Sequence, residues 1–412
     1  MPDVSALADA STGFGAYSAS AGGWRLFGGT SFGAPMWAGQ LASALSSDGR
    51  TSGIGDIHAA LYATPSAFRD VTSGANGFFR AGSGYDQVTG LGSPQWTALS
   101  AALGLNSSTH TTVKRISGLN RVLTAVEVSK SLFDDVGQPK AASAVVLASS
   151  EGFADGVSGG PLAAAVHGPL LLTAGSSLDP ATAAEITRIL PIGGTVDVLG
   201  GVGAISANVA TSLTNRGFTV TRLWGADRFS TAVEVAKSLP AVKTVLLTSG
   251  LVFPDALSAG PAAAHTGGVV LLTQGKTMPS VTAEYLAGNP GVEVFAVGGD
   301  AAKAASSTPA DHQLVGVDRF ETGTKVASHF FDHPARLTFA SGLNFPDALS
   351  GGAYASLLDS PILLVPSTLV PPVVTAYLKV NLTSAADSAL VGGALVVTES
   401  VRTSLTGTLN GF

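Results

Sequence analysis

The stretch Asp227-Arg228-Phe229-Ser230-Thr231-Ala232-Val233-Glu234-Val235 decides the fold of most of this chain, because it recurs at 120–128 and at 318–326. A second signature follows it each time, at 153–158, 253–258 and 345–350, and in the second unit it reads Phe-Pro-Asp-Ala-Leu-Ser. A Gly-Gly pair closes each unit, at 200–201, 298–299 and 392–393. Ordered signatures that share one period indicate a repeat protein.

Each unit alternates short apolar runs with helical stretches. In the second unit the runs at 244–248, 269–273 and 292–297 are rich in Leu or β-branched residues and are bounded by Gly or Pro, which favours buried strands. A helix is predicted after Pro254-Asp255, where the carboxylate could cap its first turn. Alternating strands and helices imply a parallel sheet covered on both faces. We therefore predict an α/β fold with three tandem Rossmann-like parallel-sheet repeats.

Composition excludes several classes of function. The net charge of −6 and the pI near 5.6 argue against a nucleic-acid partner, which requires clustered Lys and Arg. Cysteine is absent, so disulfides and thiolate chemistry are excluded. No apolar run approaches the roughly 18 residues of a membrane span, and no export signal is visible at the start of the chain.

Residues 1–105 contain none of the repeated signatures and differ from the repeats in composition, so we predict that they form a separate domain or a part of one. The sharpest element is 28–39, Gly-Gly-Thr-Ser-Phe-Gly-Ala-Pro-Met-Trp-Ala-Gly, which places Ser31 on a glycine-flanked turn before a helix. Such a turn would expose the hydroxyl, and the helix amides would favour a developing oxyanion. Further on, Asp70 and Asp86 lie in glycine-rich loops that could supply oxygen ligands to calcium. A plain Gly/Asp turn cluster without a metal explains the same residues.

The repeated signatures resemble the bacterial cell wall binding repeat 2 family, which occurs as three tandem copies attached to a variable functional domain. The resemblance implies repeats at 115–215, 216–312 and 313–412, and noncovalent retention on the envelope through an anionic wall polymer. It implies an extracellular, wall-attached location. The first repeat departs from the pattern, with Asn120 for the Asp and Ala154-Asp155-Gly156 for Pro-Asp-Ala.

The recurrent polar residues are the candidate polymer contacts, because a guanidinium suits a phosphate or carboxylate. They are Arg121, Arg228, Arg319, Asp155, Asp255 and Asp347. Each Arg could instead pair with a carboxylate of its own unit, and the aspartates could simply be helix caps. Ser158, Ser258 and Ser350 could offer hydroxyls to an anion or be ordinary first-turn residues.

The segments 2–6, 28–39, 68–77 and 81–94 resemble, in the same order, the C-terminal part of a sedolisin-type serine-carboxyl peptidase. The resemblance implies that 1–105 is a fragment of a subtilisin-like α/β peptidase domain, followed by a linker at 106–114. It implies that Ser31 is the nucleophile and that one Ca²⁺ is bound. The implied calcium ligands are the carboxylates of Asp70 and Asp86 and the carbonyls of Val71, Gly82 and Gly84.

Catalysis by that family requires a Glu and an Asp that activate the serine and an Asp that stabilises the oxyanion, all upstream of the nucleophile. Only Asp3 and Asp9 precede Ser31. Because a serine without a general base is a weak nucleophile, we expect the chain alone to be inactive, and its standing as an enzyme stays open.

Three hypotheses therefore remain. The first is a surface protein attached to the wall by its repeats and carrying a truncated peptidase domain. The second is a wall-attached endopeptidase, acting on protein substrates, whose upstream catalytic part is supplied elsewhere. The third is a product whose first hundred residues do not fold alone.

Overall fold

The computed structural model describes residues 2–9, 11, 13–18, 22–47, 53–105, 112–306, 310–381 and 387–410. The chain divides into two compact units, Met1–His110 (unit 1) and Thr111–Phe412 (unit 2). Most of the predicted linker at 106–114 lies outside the described residues, so its extent stays a prediction.

Unit 1 is built around a small core of Leu61, Ala67, Phe68, Leu91 and Leu99. Its first two strands form an antiparallel hairpin, and its other two strands pair antiparallel. The elements are β1 (Phe14–Ser18), β2 (Gly23–Phe27), α1 (Gly33–Ser47), α2 (His58–Ala63), β3 (Phe68–Arg69), β4 (Ser93–Pro94) and α3 (Trp96–Ala102), with one-turn 3-10 helices at Thr30–Phe32 and Pro65–Ala67.

Unit 2 alternates strands and helices along its whole length. Its strands are β5 (Val113–Ile116), β6 (Ala144–Ser149), β7 (Leu170–Thr173), β8 (Thr195–Leu199), β9 (Thr219–Leu223), β10 (Thr244–Ser249), β11 (Val269–Thr273), β12 (Glu293–Val297), β13 (His312–Leu314), β14 (Arg336–Ser341), β15 (Ile362–Val365) and β16 (Asp387–Val391). Its helices are α4 (Arg121–Leu132), α5 (Gly159–Ala165), α6 (Pro180–Ile189), α7 (Ala207–Asn215), α8 (Arg228–Ser238), α9 (Pro254–Thr266), α10 (Ser280–Gly288), α11 (Gly299–Ala304), α12 (Arg319–Phe330), α13 (Phe345–Leu357), α14 (Pro372–Val380) and α15 (Glu399–Leu409).

The strands of unit 2 form three parallel sheets of four strands each. Their orders are β7-β6-β8-β9, β11-β10-β12-β13 and β15-β14-β16-β5. The inner strands are buried on both faces, as expected for parallel sheets covered by helices. The prediction of three tandem Rossmann-like repeats is therefore confirmed.

The fourth strand of each sheet comes from the next repeat along the chain. β9 belongs to the second sequence repeat but pairs with β8 of the first, and β13 likewise pairs with β12. The first strand of unit 2, β5, pairs with β16 of the last repeat, from Val113 opposite Ser388 to Ile116 opposite Val391. This exchange closes the three repeats into a ring, an arrangement that the prediction of three tandem repeats did not include.

Three equivalent helices meet at the centre of the ring. α5, α9 and α13 pack against one another, and glycine permits their close approach: a Cβ on Gly160 would lie 3.2 Å from the Ser356 hydroxyl. Beside them Phe153, Phe253 and Phe345 form a triangle of rings whose centroids are 6.0, 5.9 and 5.9 Å apart. The Phe of each second signature therefore holds the repeats together.

Candidate functional site

The three signatures of unit 2 converge at the carboxyl edge of each sheet, where parallel sheets place their ligand sites. Site A contains Asp155 and Arg228 in a cavity of about 630 Å³. Site C contains Asp347 and Arg121 in a cavity of about 450 Å³. Site B is the equivalent position between the second and third repeats of unit 2, and it contains Asp255 and Arg319.

Each site is assembled from two repeats. The Asp of one repeat faces the Arg of the next, so the charge of Arg228 acts on Asp155 and that of Arg319 acts on Asp255. Site C joins the last repeat to the first, because its cavity is lined by Asp347 of the last repeat and Arg121 of the first. The β5–β16 pairing supplies this closure, and Arg115 fastens it by donating to the Gly392 and Val397 carbonyls at 2.6 and 2.8 Å.

Each site arginine is anchored through one nitrogen of its guanidinium. Nη1 donates to the carbonyl at the end of the following strand: Arg121 to Ser150 at 2.7 Å, Arg228 to Gly250 at 2.8 Å and Arg319 to Gly342 at 2.6 Å. Two of them also lie over rings of the central triangle, Arg121 over Phe345 at 5.7 Å and Arg319 over Phe253 at 6.0 Å.

The guanidinium groups keep further donors for a ligand. A guanidinium carries five N–H donors, and Arg121 and Arg228 are exposed. Among the described residues none of the three forms a salt bridge. The alternative that each Arg pairs with a carboxylate of its own unit is therefore wrong.

The site aspartates are not helix caps. The first residue before α9 is Phe253 with no side-chain cap, and α5 and α13 likewise lack one at their first turns. Side-chain caps are found on other helices, α4 and α8, where Asn120 and Asp227 directly precede the site arginine and accept from backbone N–H groups at 2.9 and 2.8 Å. Predicting a cap from Pro254-Asp255 was wrong, because the carboxylate turns toward the Gly-Gly loop.

Each aspartate is held against the first glycine of the Gly-Gly pair. A Cβ on Gly298 would lie 2.0 Å from Asp255 Oδ2, and one on Gly200 would lie 2.5 Å from Asp155 Oδ2. Desolvation raises the pKa of Asp155, and it raises that of Asp255 to about 6, although the charge of Arg319 opposes this rise. Burial thus raises the pKa of a carboxyl in site B above its ordinary range.

Sequence reasoning missed two other recurrent residues that shape these sites. The N–H of Gly225 donates to the Thr231 hydroxyl at 3.1 Å, and the same contact recurs from Gly118 to Thr124 and from Gly316 to Thr322. A Cβ on Gly225 would lie 2.2 Å from the Ser230 Cβ. The turn therefore requires glycine, and the constant spacing of Gly and Thr around each Arg could have revealed it.

The recurrent serines of the second signature do not face a ligand. Ser158 and Ser258 are buried and donate to the backbone carbonyls of Asp155 and Asp255 at 3.1 and 2.9 Å. Ser350 is fully buried. Of the two alternatives for these serines, the structure supports ordinary first-turn residues.

We expect wild-type unit 2 to lose stability as the pH rises from 4 to 7, and we expect Asp255→Asn to make this loss smaller. Since the pKa of Asp255 is raised from 3.8 to about 6 in the folded state, the folded protein binds this proton more tightly than the unfolded chain. Stability therefore falls as the pH rises from about 4 to 6, by about 2–3 kcal/mol. The amide cannot ionise, so urea denaturation should show the variant to be the more stable protein at pH 7.

The matched control for this prediction is Asp332→Asn, because the Asp332 side chain is 97% exposed in the same unit. It should follow the wild-type pH dependence. An Asp255→Asn variant that loses as much stability as wild type between pH 4 and 7 would contradict the burial argument.

In unit 1, Ser31 lies where the sequence predicted, in the one-turn helix directly before α1. The preceding Gly29 has φ 135°, and its carbonyl accepts from the Phe32 N–H at 2.9 Å. Ser31 is exposed. In the described part of the chain no carboxylate or imidazole is hydrogen-bonded to its hydroxyl.

The predicted calcium residues of unit 1 are brought together in one pair of loops. The N–H of Gly84 donates to Asp70 at 2.7 Å, that of Gly82 donates to Asp86 at 3.0 Å, and Thr89 bonds the Val71 carbonyl at 3.4 Å. The N–H groups of Gly82 and Thr89 lower the pKa of Asp86 to about 2, which keeps it ionised. No cluster of three acidic or His side chains occurs among the described residues. Two carboxylates and nearby carbonyls are nevertheless a donor set that fits a hard cation.

The fold and the three candidate sites define a ring of Rossmann-like repeats with a cluster of recurrent Arg and Asp residues between neighbours. The chain belongs to the cell wall binding domain 2 (CWB2) family, which matches residues 115–210, 222–306 and 313–402. It is therefore a cell-wall-binding surface protein. In the described residues no helix has both the length and the apolar character needed to cross a bilayer.

Several known proteins are similar to parts of this chain. N-acetylmuramoyl-L-alanine amidase LytC of Bacillus subtilis (strain 168) is 26% identical over 255 residues, which are 61% of this chain and 50% of LytC. The structure of Cwp6 from Clostridium difficile matches with a TM-score of 0.63 and 28% identity, over 73% of this chain and 48% of Cwp6. Sedolisin of Pseudomonas sp. (strain 101) is 35% identical over 116 residues, which are 27% of this chain and 19% of sedolisin. The chain thus spans about half the length of LytC and of Cwp6.

Proposed function

We propose that unit 2 retains the protein noncovalently at the outside of the cell by binding an anionic polymer of the wall at sites A, B and C. The observation that carries this proposal is the repeated placement of an anchored arginine at the carboxyl edge of each sheet. One nitrogen fixes the guanidinium, and the remaining donors can bind phosphate or carboxylate oxygens in a fork.

Attachment by weak contacts becomes strong when they act together. A polymer that occupies one site is held at a high effective concentration near the other two, because all three lie on one closed ring. The site aspartates would accept hydrogen bonds from polymer hydroxyls. Retention would then require no covalent bond.

Sedimentation with purified walls tests this function. We expect the full chain to sediment with native Gram-positive walls and to stay in the supernatant after their anionic polymers have been stripped with acid. Undiminished sedimentation with stripped walls would show that the ligand is another wall component.

A second candidate function concerns unit 1, which we infer to be the C-terminal part of a sedolisin-type serine peptidase domain. The match to sedolisin and the exposed Ser31 on its glycine-bounded turn support this inference. Ser31 would be the nucleophile acting on a protein substrate. Its activation would depend on a base from outside the described contacts, so we expect unit 1 alone to position the serine without catalysing hydrolysis.

We further propose that the loops of unit 1 bind one Ca²⁺. The carboxylates of Asp70 and Asp86 and the carbonyls of Val71, Gly82 and Gly84 would be its ligands. When bound, the ion would cross-link two loops of a domain with a small core, and it would therefore act on stability and not on the reaction itself.

Removal of calcium is expected to lower the melting temperature of unit 1. At a calcium concentration about 100 times the Kd the ion would stabilise the folded unit by about 2.7 kcal/mol, which corresponds to a shift of several degrees. Calorimetry with calcium and with EGTA measures this shift. Asp86→Asn should abolish it, whereas Asp56→Asn, outside the loops, should not. An equal melting temperature with and without calcium in the wild type would contradict the proposed metal.

A further inference from the structure

Site A differs from the other two sites by one aromatic side chain. Trp224 follows β9 directly and is 56% exposed. Its Cε3 atom lies 3.6 Å from where a Cβ on Gly201 would be, and both Gly201 and the next residue, Gly225, line the cavity, so the indole lies directly beside that lining. The equivalent residue is Ser117 at site C and Val315 at site B. Of these three equivalent positions, the one beside site A alone carries an aromatic side chain.

Site A also differs from site C in charge. The lining of site A carries three carboxylates, those of Glu151, Asp155 and Asp227, against the single guanidinium of Arg228. At site C the position of Asp227 is occupied by Asn120, and that of Glu151 by Leu343. Arg121 therefore faces one carboxylate instead of three. An anion is disfavoured at site A and less so at site C.

A simple anion does not match the predominantly acidic lining of site A, and a simple cation would leave the free donors of Arg228 without an acceptor. A ligand rich in hydroxyls satisfies both, since each hydroxyl donates to a carboxylate and accepts from a guanidinium. The apolar C–H face of a sugar ring also packs on an indole, which is amphipathic in the same way. The cavity of about 630 Å³ lies within the range of roughly 300–1,000 Å³ for small-molecule sites.

We propose that site A binds an uncharged pyranose unit of the wall polymer, with Trp224 as the stacking platform, while the anionic group of the polymer is bound at site C. The inference rests on the proposed wall attachment and assigns different parts of one ligand to different sites. The carboxylates of Asp155 and Glu151 accept from sugar hydroxyls, and Arg228 donates to them. The polymer recognised is thus a glycan that carries both neutral sugars and anionic groups.

Tryptophan fluorescence of the full chain tests this assignment. Trp224 is the one Trp in the sequence of unit 2, and its signal is isolated as the difference between wild type and Trp224→Phe. The probes are N-acetylglucosamine, N-acetylmannosamine, glucose and galactose as neutral sugars, glucosamine as a cation and glycerol 1-phosphate as an anion, all at millimolar concentration. We expect at least one neutral sugar to change the Trp224 emission, in wild type and equally in Arg121→Gln.

Sedimentation with purified walls is the second test of the proposal. Trp224→Ala should lower the affinity for native walls about tenfold, while its melting temperature stays unchanged because the side chain is largely exposed. The matched control is Trp24→Ala, which removes a Trp that is 74% exposed in unit 1 and should not alter wall binding.

Two results would overturn the proposal. One is a Trp224 signal that responds to glycerol phosphate or glucosamine but to none of the neutral sugars, or to no probe at all. The other is Trp224→Ala that sediments with walls as tightly as wild type. Failure of the wall attachment itself is distinguishable, because then the wild type would not sediment, while the sugar titration would still decide what site A binds.

Discussion

Replacement of Arg121, Arg228 and Arg319 together by Gln is expected to lower the affinity for native walls by about 10²- to 10⁴-fold, because it removes the charged contact from all three sites at once. Single replacements should each lose about tenfold, since two sites remain to hold the polymer. Arg121→Gln should have the largest single effect, because site C has the least acidic lining. Binding isotherms with purified walls at fixed salt concentration measure these changes.

The matched control for the triple variant lies on the same helices. Each of the helices α4, α8 and α12 carries an exposed lysine six to nine residues after its site arginine, and each lysine forms a surface ion pair. These lysines are Lys130, Lys237 and Lys325. Their replacement by Gln removes the same number of charges and leaves the site arginines and aspartates in place, although Lys325 also donates to the Val315 carbonyl beside site B at 2.7 Å. If both triple variants lost affinity equally, general electrostatic attraction and not the three sites would account for wall binding. Circular dichroism is needed for both variants, because each site arginine also bonds a carbonyl.

The repeats and their sheets could be predicted from sequence because the signals are local. Short apolar runs between Gly and Pro specify buried strands, and their alternation with helices leaves a parallel sheet as the consistent arrangement. The exchange of the fourth strand could not be predicted in this way. A run such as 219–223 indicates a strand but not its partner, which is chosen by contacts distant in sequence, and β5 reaches across the unit to β16.

The candidate site was predicted in its residues but not in its arrangement. The recurrence of Arg and Asp identified the correct positions, yet a carboxylate in a first turn has the same local sequence whether it caps the helix or turns away. For Asp255 the outcome is set by Gly298, more than forty residues later, whose backbone geometry leaves room for the carboxylate. Such a contact between loops of a fold is not encoded within either loop.

The folded ring shows what the sequence differences of the first repeat change in the sites. Asn120 still caps α4 by accepting from the Leu123 N–H, so the helix keeps its start. The same substitution removes a carboxylate from site C, which the first repeat shares with the last. Because the first repeat contributes Asp155 to site A and Arg121 to site C, its divergence modifies two sites and abolishes neither.

Gly298→Ala is expected to destabilise unit 2 by at least about 3 kcal/mol, by two separate mechanisms. Gly298 has φ 86° and ψ 157°, a region that residues with a Cβ rarely adopt, at a cost of about 1–3 kcal/mol. In addition the new Cβ would lie 2.0 Å from Asp255 Oδ2 and 2.6 Å from its Cγ, so the half-buried carboxylate would have to move away from its position in site B. Thermal and urea unfolding measure the loss.

Two further variants separate these mechanisms. Gly288→Ala changes a glycine of α10 that has no atom within 4 Å of the added Cβ, and it should be neutral or slightly stabilising, because alanine favours a helix. Gly298→Ala should cost less stability in the background of Asp255→Ala than in wild type, because the clash is absent there, but it should still cost something, because the backbone strain remains. No cost in that background would mean that the backbone at Gly298 is unstrained, and an unchanged cost would mean that the carboxylate does not pack on this loop. A reduced cost would show that Gly298 is required both for the turn and for the position of Asp255.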